Sequence, residues 1–186
     1  MKDLNWEVIS SEHLIKKKWI SIRADKCKMP SGKIIDPFYV YEFPNWVTVV
    51  AITKNKEVVL VRQYRHGCGK SILELPAGVI DETDLSPLEA AKRELIEETG
   101  YTSDEFIQTC IVSANPSTHN NVTFCFLATN VELTEETNLD DTEEIEVVLK
   151  PLDEVIEALK NNEFLQSLHV SALFQALIHL NKIDLK

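Results

Sequence analysis

The stretch from Gly78 to Tyr101, GVIDETDLSPLEAAKRELIEETGY, decides how the rest of the chain is read. Ser86-Pro87-Leu88-Glu89 is a helix start: a serine N-cap, a proline at the first helical position, and a glutamate completing a capping box. Gly100 supplies the stop, because glycine adopts the left-handed cap conformation without steric cost. The spacing predicts a helix over 87–99. On it Leu88, Ala91 and Leu95 share a face and turn inward, while Glu94, Glu97 and Glu98 crowd an arc of about 100° on another. Carboxylates that close repel by a few tenths of a kcal/mol per pair even when exposed. Arg93, four residues before Glu97, offsets one of them. A hard divalent cation such as Mg²⁺, which prefers oxygen ligands, would offset the others. The plain alternative is a solvated acidic face.

Outward from this helix the pattern is mostly strand. Residues 17–45 alternate with period 2 around the turn Pro30-Ser31-Gly32 and read as two or three strands of a meander. WVTVVAIT (46–53), the polar turn Lys54-Asn55-Lys56 and EVVLVRQY (57–64) form a strand and its return. Short strands follow at 72–76, 106–113, 122–129 and 144–149. Two apolar stripes at helical spacing close the chain: Leu152, Val155, Ile156 and Leu159, then Val170, Leu173, Phe174, Leu177 and Leu180. The fold class is α+β.

At 186 residues and 44% hydrophobic content the chain suffices for one domain with a full core. A formal charge of −11 argues against a general nucleic-acid surface, since phosphates would meet net repulsion. Phosphate-bearing ligands would need metal ions or local arginines. No apolar run reaches signal-peptide or membrane-span length, and Cys27, Cys68, Cys110 and Cys125 include no C-x-x-C pair. These features are expected of a soluble cytoplasmic protein with reduced thiols and no membrane partner.

The quoted stretch resembles the Nudix box, G-x5-E-x7-R-E-U-x-E-E-x-G-U, with U a bulky apolar residue. Arg93, Glu94, Leu95, Glu97, Glu98, Gly100 and Tyr101 fit its second half position by position. The first half is longer by one: Gly78 and Arg93 lie fifteen positions apart rather than the fourteen of the pattern. The early glutamate's slot falls on Asp84 counted forward or on Leu85 counted back. WVTVVAIT, VVLVRQYRHGCGKSILELPAG and PLDEVIEAL extend the likeness to the ADP-ribose pyrophosphatase and nucleoside-diphosphate-sugar branch of that superfamily.

The resemblance implies a Nudix fold, a mixed β-sheet sandwiched between helices. A strand extension over 1–45 would serve dimerisation and substrate binding, with the Nudix domain over 46–186. It implies a homodimer acting on a small-molecule nucleotide sugar. Mg²⁺, with Mn²⁺ as substitute, would be held by Glu94, Glu97, Glu98 and the Ala77 carbonyl, and Arg93, Glu94 and Glu97 would form the catalytic set. ADP-ribose leads as substrate, to give AMP and ribose 5-phosphate. ADP-glucose, GDP-mannose and a non-catalytic nucleotide-binding regulator are the alternatives.

By the same likeness Arg65 contacts substrate phosphates, for which a forked guanidinium is suited. Arg62 is a second candidate. Trp19 or Trp46 would stack a base. Pro116 stands where ADP-ribose-type members carry a proline, and Asn121 where many carry a loop glutamate serving as base. An amide cannot accept a proton at neutral pH, so the base falls to Glu97, His119 or an acid of Asp140-Asp141-Thr142-Glu143-Glu144, unless a metal-bound hydroxide needs little help. His13, His66, His169 and His179 read as structural.

Overall fold

The computed structural model describes residues 2–17 and 19–183. The backbone forms two compact units, one from the residues up to Pro44 with Ser113–Asn121, the other from Asn45–Val112 with the residues from Val122 onward.

The first unit is an antiparallel meander of β1 (Glu7–Lys17), β2 (Ile20–Lys28) and β3 (Ile34–Glu42), in that order. Period-2 reading finds strands from residue 17 onward but passes over β1. Register shifts at Val8/Ser10 and His13/Ile15 break its alternation, and all eleven residues are exposed, so no buried face marks it. A charge network crosses the sheet. Arg23 donates through Nε to the buried Asp25 at 2.9 Å and through Nη1 to Glu42 at 2.8 Å. Ser21 Oγ and His13 Nε2 each lie 2.7 Å from the other Glu42 oxygen. These contacts, the Ser21 hydroxyl foremost, pull the Glu42 carboxyl down to about 2. The segment 113–121 lies along β3. Tyr41 N–H donates to the Thr118 carbonyl at 2.8 Å, and Asn120 N–H to that of Tyr41 at 3.2 Å.

The second unit contains β4 (Trp46–Thr53), β5 (Glu57–Arg65), β6 (Lys70–Glu74), β7 (Ala77–Val79), α1 (Pro87–Thr99), β8 (Tyr101–Thr102), β9 (Glu105–Val112), β10 (Thr123–Leu133), β11 (Ile145–Pro151), α2 (Leu152–Lys160) and α3 (Ser167–His179). The sheet runs β11-β5-β4-β10-β8, with β6 on β5, β7 on β4 and β9 on β10. β4 and β10 pair in parallel and the other pairs are antiparallel, so the sheet is mixed.

WVTVVAIT is apolar nearly throughout because β4 is covered on both faces. Val47, Val49 and Ala51 pack in one cluster with Ala90, Ala91 and Leu95 of α1. Val50 and Ile52 pack in the other with Val155 of α2 and Ala172, Leu173 and Leu177 of α3. Leu95 is completely buried, a gain of roughly 1.5–3 kcal/mol over leaving it in water. The mixed sheet thus lies between helices, as the resemblance implies.

Helix α1 spans the 87–99 that the capping signals predict. Ser86 Oγ accepts from Glu89 N–H at 3.3 Å, and Gly100, at φ 74°, closes the last turn through its N–H to the Ile96 carbonyl at 2.7 Å. The reciprocal half of the capping box is not made among the described residues. The Glu89 carboxylate instead takes Lys92 Nζ at 3.1 Å. No described helix is long and apolar enough to cross a membrane.

Candidate active site

β7 pairs with β4, Ala77 opposite Thr48, and this pairing sets the Ala77-Gly78 backbone beside α1. Glu98, 3% exposed, accepts the Ala77 N–H at 2.9 Å through Oε2. One turn earlier, Glu94 presses its carboxyl against Gly78 so closely that a Cβ there would lie 2.1 Å from it. The box glycine is thus an absence of side chain that the Glu94 carboxylate fills. Burial raises the Glu94 carboxyl to about 7, with Arg93 opposing and the negative charges of Glu97 and Glu143 adding to the rise. Burial raises Glu98 further, to about 8, again with Glu143 and also Glu94 contributing. A nearby positive charge would favour the ionised form of each carboxyl.

Arg93 supplies part of it and orders the rest. Its Nη1 donates to Glu94 and to Glu97, each at 2.8 Å. Nη2 donates to the Val79 carbonyl and to Asp84 Oδ2, both at 2.9 Å, and Nε donates to Asp84 Oδ1 at 3.1 Å. Asp84 in turn accepts the Asp81 N–H at 2.8 Å. The Arg93 hydrogen bond holds the Asp84 carboxyl below its ordinary value, and the Asp84 bond raises Arg93 above its own. The extra residue between Gly78 and Arg93 is therefore absorbed in the loop, with an aspartate clamping the arginine.

Each part of the turn Glu74-Leu75-Pro76-Ala77 is tied to a different element. Arg65 Nε donates to the buried Glu74 at 2.7 Å, and among the described residues the two terminal nitrogens of Arg65 make no hydrogen bond. Leu75 N–H donates to Nδ1 of His169 on α3 at 3.3 Å. The Pro76 carbonyl accepts from Val49 N–H at 2.9 Å and Thr48 Oγ1 at 3.3 Å. Burial raises the Glu74 carboxyl, with Arg65 pulling the other way. Burial, helped by Arg65, pushes the His169 imidazole down to about 3, and the Leu75 N–H directed at Nδ1 makes that nitrogen the acceptor.

The second unit thus brings together Ala77, Arg93, Glu94, Glu97 and Glu98. Arg62 stands apart, its Nη1 3.0 Å from Glu146 across the β5–β11 pair and exposed to solvent. Trp46 opens β4 opposite Val79, half-buried. Trp19, Pro116 and His119 belong to the first unit. There Trp19 is exposed, and the His119 ring lies edge-on to Tyr41 and Phe43 at 5.7 and 5.3 Å. Asn121 donates its amide to the Pro44 carbonyl at 2.9 Å, a latch within the same unit. Of the acids at 140–144, Glu143 is the one whose charge reaches Glu94 and Glu98. Glu74 and His169 were not legible as site residues, because their partners lie nine and ninety-four positions away.

Among the described residues no three Asp, Glu, His or Cys side chains stand close enough to ligate one ion unaided. Glu94 and Glu98 beside the Ala77 backbone nevertheless form an oxygen-rich set suited to a hard cation that keeps waters.

Comparison with known proteins matches residues 43–169 to the NUDIX domain and residues 6–41 to the nucleoside diphosphate sugar hydrolase N-terminal domain. The chain belongs to the Nudix hydrolase family. It is 29% identical to an ADP-ribose pyrophosphatase of Bacillus subtilis over 88% of each chain. It is 27% identical to a methanol dehydrogenase activator of Bacillus methanolicus over 90% of each. A solved structure described as an ADP compounds hydrolase superposes with a TM-score of 0.85 over 98% of both chains, at 24% identity.

Proposed function

We propose that the chain hydrolyses the diphosphate linkage of a nucleoside diphosphate sugar, with ADP-ribose, giving AMP and ribose 5-phosphate, as the leading substrate. The observation that carries this reading is the half-buried Glu94 and the buried Glu98 set together against the Ala77-Gly78 backbone. Glu94, Glu98 and the Ala77 carbonyl, with Glu97 alongside, would hold Mg²⁺ or Mn²⁺. Such an ion polarises phosphoryl oxygens and lowers the pKa of bound water. The chain's own residues do the remainder. Arg93 fixes the rotamers of Glu94 and Glu97. Glu74 anchors Arg65 by its Nε, leaving the fork of the guanidinium for phosphate oxygens. Glu143 takes the proton of the attacking water, since an acceptor near both box carboxylates is what the reaction needs and Asn121 cannot serve.

The reading extends to a homodimer formed through the first unit. Its support is β1, exposed throughout, and the exposed Trp6, Val8, Ile9, Leu14 and Ile15 along that stretch. Four cysteines without a disulfide fit a reducing cytoplasm.

The test is product analysis by anion-exchange chromatography after incubation with Mg²⁺ and a panel of ADP-ribose, ADP-glucose, GDP-mannose and a nucleoside triphosphate. AMP from ADP-ribose supports the full reading, and turnover of another sugar moves the specificity alone. Silence across the panel with Mg²⁺ and with Mn²⁺ overturns it.

A further inference from the structure

His169 lies in α3, whose other buried residues belong to the core, yet it is itself polar, 4% exposed, and bonded to the backbone of the turn that leads to Ala77. Leu75 is likewise buried, so its N–H has no access to water and depends on that one acceptor. The remaining contacts of the turn act on its other residues: Arg65 on the Glu74 side chain, Val49 and Thr48 on the Pro76 carbonyl, Glu98 on the Ala77 N–H. Thr48 and Val49 hold the Pro76 carbonyl to the sheet, and His169 holds the Glu74–Leu75 peptide one residue before the proline. With Glu98 on the Ala77 N–H, these contacts hold the backbone on both sides of the proline, from the Leu75 N–H to the Ala77 N–H.

We propose that His169 is a positioning residue for the cation site, acting through its Nδ1 on the Leu75 N–H to set the Ala77 carbonyl. The proposal rests on the reading of Ala77, Glu94 and Glu98 as cation ligands. The side chain touches neither substrate nor ion. An imidazole serves because it is flat enough to lie in the core between α3 and the turn, carries an acceptor on the ring atom nearest the backbone, and stays uncharged beside Arg65.

The test uses the full chain with Mn²⁺ as probe, free ion followed by electron paramagnetic resonance. His169→Asn keeps an acceptor at the branch position of Nδ1, and His169→Leu keeps volume without one. The wild type should bind Mn²⁺, His169→Asn should stay within about threefold of it, and His169→Leu should bind roughly tenfold or more weakly, as loss of an outer-shell partner does. At saturating Mn²⁺ the KM for the nucleotide sugar should be unchanged in all three. Should the leucine variant not fold, His169→Gln replaces it, because its carbonyl lies one bond too far out, and the same weakening is expected. Equal Mn²⁺ affinity in the wild type and the acceptor-free variant overturns the proposal, as does equal loss in the asparagine and acceptor-free variants. Absence of Mn²⁺ binding in the wild type would instead overturn the cation reading on which it rests.

Discussion

Asp84 and Arg93 form a two-pronged ion pair, Nε to Oδ1 at 3.1 Å and Nη2 to Oδ2 at 2.9 Å, with the Asp84 side chain 6% exposed. The pair shows where the extra residue of the box goes. The loop takes up the insertion, and the acid counted forward from Gly78 reaches the arginine that organises Glu94 and Glu97.

Replacing Asp84 by Asn keeps the shape but removes the charge that holds two of the three guanidinium nitrogens. Activity toward the nucleotide sugar should fall about 10–100-fold, mainly in kcat, because Arg93 then orients Glu94 and Glu97 less well. Steady-state kinetics at saturating Mg²⁺ check this. Unchanged kcat would mean that Glu94 and Glu97 hold Arg93 unaided.

Gly78→Ala places a methyl group where the Glu94 carboxyl sits, at 2.1 Å, in a part of the chain where both backbone and helix are packed. The carboxyl must swing out or the strand must shift. Divalent-cation affinity should fall by more than about tenfold, with a stability loss of about 1–3 kcal/mol. Calorimetric titration with Mn²⁺ and thermal melting read the two effects separately.

Arg65→Lys should mainly raise KM, by about tenfold or more. A lysine has one compact ammonium and cannot both satisfy the buried Glu74 and offer a fork to phosphate. Glu74→Gln should produce a similar KM effect through the loosened arginine, which distinguishes anchoring from direct contact by Glu74.

The metal-free protein should lose stability as pH rises. Glu94 and Glu98 have folded values near 7 and 8, above the ordinary 4.5, so folding favours their neutral forms. Their contribution is fully present below about pH 4.5 and is lost as pH climbs through 7 and 8. Added Mg²⁺ should therefore raise the melting temperature more at pH 8 than at pH 6, since ligation competes with protons. Glu98→Gln should flatten the metal-free profile. Melting curves across this range with chelator and with Mg²⁺ check the sign.

Much of the fold was legible because local signals and burial agreed. Ser86-Pro87 and Gly100 delimit a helix that packs where its apolar face predicts, and the unbroken apolar run of β4 marks a strand covered on both faces. β1 was not legible, since a bulged, fully exposed strand has no periodic face. In the site, the box residues were readable from their spacing on one helix. Glu74 and His169 were not singled out, and Glu143 was named only as one acid of 140–144, because each gains its meaning from a partner on another element. The exposed pairing of Arg62 with Glu146 across β5 and β11 was likewise not readable from either strand alone.

The most direct test of the account is the initial rate of ADP-ribose hydrolysis at pH 8 as Mg²⁺ is titrated, for the wild type and Glu98→Gln. Saturable, Mg²⁺-dependent release of AMP is expected of the wild type and a rate lower by about 100-fold or more of the variant, because losing a ligand exceeds the loss of an outer-shell partner. A Glu98→Gln variant that turns over ADP-ribose at the wild-type rate with the same Mg²⁺ dependence would contradict it.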